Sequence, residues 1–377
     1  MRILHIITSL DAGGGQWVLF ELAKQLNKLG YKQCVISMKP NGSLAEKIIK
    51  ENIELHELNF SFKSLSTSIK ECHKFINSFQ PDCIQSWLYH GDFLTILLRP
   101  KIKIPIYWGL HHSYESRKNN RLKLSTRIIV FFNKVFSKTV PRKIICCSKS
   151  ALNSHIKYGY DLDKMIFIPN GINIDRFRPD PAASKKIKKE LNIQSRKKII
   201  GYIARFHPQK DHENFFAAAK QLLQIRDNVE FILAGSQITH ENFELSRLLT
   251  DQQLSDHVHL LGQRDDISLI TAALDIATLA SSGDEALPLT MIEAMACGVI
   301  CVATDVGDVK EVVGNAGFIV PAHNSQALAD QWQQALELST EQRNGLVEIG
   351  INRVKQSYTN IIMAKNYLDV YLTNKDN

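Results

Sequence analysis

The stretch "KIIGYIARFHPQKDH", Lys198 to His212, starts with a short apolar run and breaks abruptly into a polar loop that carries Arg205 and Lys210. It reads as a buried β-strand followed by a strand-end loop, and its place in the chain decides the fold. Upstream, "RILHIIT", "QCVISM", "CIQSW", "PIYWGLH", "KIICCS" and "MIFIPNG" alternate with helical stretches, the first helix running from about Gln16 to Leu29. Downstream, "VEFILAG", "VHLLG", "IATLAS", "VICVAT" and "GFIV" repeat the scheme. Strands alternating with helices of ten to fifteen residues imply βαβ units and parallel sheets. Lys198 begins a fresh series, so the pattern fits two doubly wound sheets better than one long sheet. The break falls in "IPNGINIDRFRPDPAASKK", residues 168–186, where Pro, Gly and Asn cluster.

Bulk properties agree. A chain of 377 residues is long for one core, so two domains are expected. Hydrophobic residues make up 44% and charged residues 22%, the balance of a globular protein rather than a disordered one. No stretch reaches the roughly 18 apolar residues of a membrane span, and the N-terminus lacks the pattern of a signal peptide. The seven cysteines are odd in number and form no CxxC pair, which points to reduced thiols in a cytoplasmic chain, not a disulfide framework or a zinc site.

The net charge of +8 is unevenly spread. Residues 1–180 hold 27 Lys and Arg against 14 Asp and Glu; the rest hold 19 against 24. Between Arg99 and Lys143 there are twelve basic residues and one acid, Glu115. Such a patch fits a polyanion or an anionic membrane surface, or is simply a solvated face. Within it, "RLKLSTRIIVFFNKVFSK" (121–138) sets Arg121, Lys123, Arg127, Lys134 and Lys138 around Leu122, Leu124, Ile128, Phe131, Phe132 and Val135. That pattern is an interfacial amphipathic helix, though a core-facing helix carries a similar stripe.

Four strand-end motifs carry chemistry, because ligands of open α/β sheets bind beyond the carboxyl ends of the strands. "DAGGGQWVL" (11–19) brings backbone N–H groups close to a ligand at a helix N-terminus, which favours phosphate; it serves equally as a plain strand-to-helix turn. "WGLHHSY" (108–114) places His111 and His112 on opposite faces, so one of them faces a site as a hydrogen-bonding or acid/base group, or is structural. Arg205 and Lys210, five residues apart, suit a diphosphate leaving group; the bland alternative is a surface loop with two charges. "GDEALPLTMIEAMACG" (283–298) sets Glu285 before a helix and Glu293 about two turns into it, with Gly298 as its stop. Free N–H groups of Leu287 and Leu289 at the helix mouth would meet phosphate, while Pro288 has none to give.

Taken together these residues resemble the retaining glycosyltransferases of family four, of the bacterial surface-polysaccharide type. The likeness runs over Gly13–Gly15, His111, "IPNGIN", Arg205 with Lys210, and the E-x7-E of "EALPLTMIEAMACG", which leads into "VICVATDVGDVKEVV". It implies the GT-B fold: two doubly wound Rossmann-like α/β domains facing across a central cleft, 1–170 for the acceptor and 171–355 for the nucleotide sugar. A C-terminal helix in 356–377 would pack back on the first domain.

The resemblance also implies roles. Glu293 would bind ribose, Glu285 would lie under the donor sugar, and Arg205 and Lys210 would clamp the diphosphate. Gly14 and Gly15 would let that diphosphate approach, and His111, or His112 one register away, would contact the donor sugar. Arg264 would lie near the base, and Leu287, Pro288 and Leu289 would form the phosphate turn. Ala286 stands where the family has glycine, so the turn must use a φ that alanine tolerates.

The implied reaction moves a hexose or N-acetylhexosamine from a nucleotide diphosphate sugar, UDP by family habit, to a glycan or lipid-linked acceptor, with retention. Neither cofactor nor metal is implied. The implied partners are the donor, the acceptor and an anionic membrane surface touched by region 99–143, with no nucleic acid. That places the chain in the cytoplasm or peripherally on the inner face of the plasma membrane. A nucleotide-sugar epimerase, a phosphorylase and a non-catalytic sugar-binding protein are the rival readings.

Overall fold

The computed structural model describes residues 1–11, 13–61, 64–114, 123–283 and 285–373. The chain divides into two compact units, one of residues 1–171 with 359–377 and one of residues 172–358. Arg121, Leu122 and Glu115 lie outside the described residues.

The first unit holds a seven-stranded sheet: β1 (Arg2–Ile7), β2 (Lys32–Ser37), β3 (Glu54–Glu57), β4 (Cys83–Trp87), β5 (Ile106–Leu110), β6 (Lys143–Cys146) and β7 (Met165–Phe167). Its order is β3-β2-β1-β4-β5-β6-β7, and every pairing is parallel. The second unit holds β8 (Lys198–Ile203), β9 (Val229–Ala234), β10 (Val258–Leu260), β11 (Ile276–Leu279), β12 (Ile300–Thr304) and β13 (Gly317–Val320). These run β10-β9-β8-β11-β12-β13, again all parallel. Both sheets are therefore Rossmann-like, with the strand order reversing beside β1 and beside β8.

Helices cover the sheet faces, so the inner strands are buried on both sides and read as unbroken apolar runs. In β4, β5, β9 and β12 every residue is buried. The edge strand β3, "ELHE", has no such run and is not among the strands legible in the sequence. Helix α1 (Gly14–Lys28) follows β1, and α15 (Asn360–Thr373) packs beside it in the same unit. The Asn360 amide donates to Glu21 at 2.7 Å, and the Tyr371 hydroxyl donates to Gln85 at 2.9 Å. A Cβ at Gly171 would come within 2.3 Å of the Thr359 carbonyl, so the returning chain requires glycine there.

Candidate active site

Each unit carries its share of the expected residues at its own switch point. In the first, β1 ends at Ile7 and the chain turns through Gly13 into α1. Gly13 is extended, no side chain caps the helix, and its first turn holds no acid. The opening amides and the positive end of the dipole are thus left for an anion. Gly15 adjoins β4 and β5: a Cβ there would lie 3.4 Å from Leu88 Cδ2 and 3.7 Å from His111 Cβ. It is His111 that adjoins the glycine loop; His112 is exposed, with its ring edge-on to Tyr89.

The His111 ring stacks on Trp87, centroids 4.8 Å apart, with the Asn170 amide beside it. Trp87 in turn donates to His5 at 3.1 Å, and His5 pairs with Gln33 at 2.9 Å. Burial pushes the His111 pKa down to about 3, so its imidazole is neutral. Leu88, just after β4, has φ +65, a strained value for a branched side chain, and it holds that side chain against the glycine loop.

In the second unit β8 and β11 are neighbours, so the loops that follow them meet. Gln209 Nε2 donates to the Gly283 carbonyl at 3.0 Å, and Ser282 N donates to Gln209 O at 2.9 Å. This clasp brings Lys210 and Glu285 into contact: the Lys210 ammonium donates to Glu285 Oε1. Ser281 Oγ donates to the same oxygen at 2.6 Å, and the Tyr202 hydroxyl holds the Lys210 carbonyl. Arg205, after β8, is exposed and pairs with no carboxylate among the described residues.

Ala286 keeps a negative φ, as alanine requires. The positive φ in this region belongs to Gly307, at +54, just after β12. A Cβ on Gly307 would sit 1.5 Å from the Glu285 carbonyl oxygen, so the loop that carries Glu285 rests on bare backbone.

Helix α11 (Leu289–Ala296) corrects two expectations. It starts at Leu289, so Glu293 stands one turn in rather than two. The Leu289 N–H is not free: it donates to Leu287 O at 3.0 Å across Pro288, whose φ −79 and ψ 81 describe an inverse γ-turn. Leu287 N–H has no partner among the described residues. Gly298, at φ +73, follows the C-cap Cys297 and stops the helix. Burial raises the Glu293 carboxyl to about 7, against the lowering pull of Arg176.

Arg264, expected near the base, has carboxylate partners of its own. It is held by Glu190 at 2.7 Å and by both oxygens of Asp266 at 2.8 Å. Sequence reasoning missed Ser281, Gln209, Gly307, Trp87 and Leu88, although Gly307 stands in the quoted "TDVGD". Except for Ser281, which reaches Glu285 four residues on, their contacts join segments far apart in the chain, which no local pattern announces.

Two phosphate-receptive strand-end loops on two Rossmann-like sheets are the plan of a GT-B glycosyltransferase, and comparison with known proteins agrees. The Glycosyltransferase Family 4 model matches residues 12–176, and the Glycosyl transferases group 1 model matches residues 183–353. The chain belongs to the family-four glycosyltransferases. It is 26% identical over 259 residues to the UDP-Gal:alpha-D-GlcNAc-diphosphoundecaprenol alpha-1,3-galactosyltransferase of Escherichia coli, covering 65% of this chain and 64% of that one. The alignment thus spans just under two thirds of that relative. It is 27% identical over 306 residues to the N,N'-diacetylbacillosaminyl-diphospho-undecaprenol alpha-1,3-N-acetylgalactosaminyltransferase of Campylobacter jejuni, covering 79% and 78%. HepE of Anabaena, crystallised with UDP-glucose, shares the fold at a TM-score of 0.86 and 20% identity, over 99% of this chain and 100% of that one.

Proposed function

We propose that this protein is a retaining glycosyltransferase. It moves a sugar from a UDP-sugar to a lipid-linked glycan, on the cytoplasmic face of an anionic membrane, during assembly of a cell-surface polysaccharide. The observation that carries this reading is the contact of Lys210 with Glu285 at the carboxyl ends of adjacent strands. Without ligand each is the other's counter-ion. A nucleotide sugar gives both a better partner: its diphosphate takes the ammonium, and its sugar hydroxyls donate to the carboxylate.

The chemistry then needs little side-chain base. With attack on the face that the diphosphate leaves, a departing phosphate oxygen takes the acceptor's proton, which retains configuration. Lys210 and the exposed Arg205 stabilise the charge that grows on that leaving group, where preorganised cations contribute most. Glu293 accepts from the ribose hydroxyls. Two cations supply the charge that a metal would otherwise bring, so turnover withstands EDTA. UDP and the lipid carrier are favoured because the Escherichia coli relative is named for UDP-Gal, and both bacterial relatives are named for diphosphoundecaprenol acceptors.

Membrane contact is supported by α5 (Leu124–Phe136). Its residues Leu124, Ile128, Phe131, Phe132 and Val135 are 40–71% exposed, so the apolar stripe faces outward, while Ile129, Val130 and Asn133 face inward. Lys123, Arg127 and Lys138 are exposed near it. No helix among the described residues is long and apolar enough to cross a membrane.

A thermal-shift screen of UDP- and GDP-sugars, followed by turnover with the best binder, tests the proposal. A UDP-sugar should raise Tm and be consumed when a polyprenyl-diphosphate saccharide is added. Stabilisation without any release of nucleotide diphosphate would leave a binding protein instead.

A further inference from the structure

Beyond the carboxyl ends of β1, β2 and β3 the first unit holds a cavity of about 150 Å³. Met38, Phe60, Phe93 and Ile129 form its apolar wall, and Lys39 and His90 stand among them. None of the donor-site assignments uses these residues. We propose that this cavity holds the first apolar carbons of a chain that carries a phosphate, the anchor of the lipid-linked acceptor, with Lys39 and His90 meeting the anionic head. The inference rests on the transferase reading for the identity of that lipid and adds to it a separate subsite.

Three observations carry it. The first is size: a dry apolar cavity of roughly this volume admits a molecule such as benzene, which is about one five-carbon unit of a branched chain. The second is charge. Lys39 is exposed and His90 half-buried, and neither pairs with a carboxylate among the described residues. Their mutual repulsion adds to burial in pushing the His90 pKa below its usual value. An ammonium and a neutral imidazole, whose N–H can donate, stand side by side at the rim of an apolar hole, a pairing complementary to an amphiphile with an anionic head. Thr8, which lines the same cavity, keeps a buried hydroxyl without a partner among the described residues.

The third is continuity with the surface. Ile129 is on α5, the helix whose opposite face is apolar and exposed. Phe93 of the cavity wall packs on Phe132 of that face, ring centroids 6.0 Å apart. An apolar path therefore leads from the outside of α5 to the cavity.

Calorimetric titration of the full chain with farnesyl diphosphate, inorganic pyrophosphate and farnesol tests the assignment without any turnover. Farnesyl diphosphate should bind at least tenfold tighter than either fragment. Ser61 is exposed and lines the cavity, so Ser61→Trp should fill it from the rim, losing only the exposed hydrogen bonds of its hydroxyl to Ser64. It should weaken farnesyl diphosphate about tenfold and leave pyrophosphate unchanged. Lys39→Ala should weaken farnesyl diphosphate and leave UDP-sugar binding intact. Equal binding of pyrophosphate and farnesyl diphosphate, or farnesyl diphosphate binding indifferent to Ser61→Trp, would overturn the subsite. Farnesyl diphosphate bound as described, with no nucleotide sugar consumed, would sink the transferase reading and leave the subsite standing.

Discussion

Lys210 and Glu285 are more useful as a pair than as separate charges. Glu285 takes hydrogen bonds from Lys210 and Ser281 on a single oxygen, which leaves its other oxygen for a ligand. Lys210→Ala should lower kcat by on the order of 10²–10³, the usual cost of losing one preorganised donor at a growing oxyanion. Combining it with Glu285→Gln should cost less than the two single changes together, because residues in contact couple. Additive losses in kcat/KM would mean that the pair does not act on one ligand. Glu293 makes a different prediction. With a carboxyl near 7, it is half protonated at neutral pH, and only the ionised form accepts from two hydroxyls. Donor binding therefore favours the carboxylate, so UDP-sugar affinity should fall toward tenfold per pH unit below about 7. Titration calorimetry at pH 6, 7 and 8 should show this slope in the native chain and a flat profile in Glu293→Gln.

Elements carry the next set of constraints. The β11–α11 loop is held from below by Gly307, and alanine there meets both a positive φ and the Glu285 carbonyl. Gly307→Ala should displace Glu285 and cut kcat/KM at least as far as Lys210→Ala while the chain stays folded; unchanged kinetics would show that the loop has other support. Helix α5 predicts salt-sensitive sedimentation with anionic vesicles, abolished by Phe131→Glu with Leu124→Glu, since both side chains are exposed and neither lines the cavity. These elements were not equally legible in the sequence. The twelve apolar strands stand out because burial, on both faces for the inner ones, admits few polar residues, whereas β3 is a short edge with two glutamates. The outward turn of the α5 stripe could not be read, because a stripe has the same period whichever way it faces. The taken amide of Leu289 depends on a ψ at Pro288 that residue types leave open. Gly307 was visible as a glycine, but its contact lies 22 positions back along the chain.

At the scale of the molecule, the two units should respond differently to acid. His5, His111 and His155, all in the first unit, are buried and neutral, with pKa values lowered by burial to about 4, 3 and 4. Between pH 6.5 and 5 the unfolded chain protonates these three histidines and the folded unit does not, so stability falls as pH falls. Asp92 opposes them: burial raises its pKa, so the folded unit keeps a proton that the unfolded chain has lost. Three histidines outnumber that one carboxyl, and the imbalance grows to about two protons, or about 2.7 kcal/mol per pH unit, as the pH nears 5 and the unfolded histidines become fully protonated; His73 and His90, whose pKa values are also lowered, act in the same direction. In the second unit His212, lowered to about 3, is offset by Glu293, raised to about 7, and the net is near zero. For units of this size the difference corresponds to roughly 5–10 °C of melting temperature per pH unit. Scanning calorimetry at pH 6.5 and 5 should thus split one transition away from the other. Tryptophan assigns it: Trp17, Trp87 and Trp108 are in the first unit, and Trp332 alone is in the second. A Trp332→Phe chain reports only the first unit, and its fluorescence transition should move down with the acid-sensitive peak. If that transition stayed in place while the other peak moved, the buried histidines would not govern the acid response.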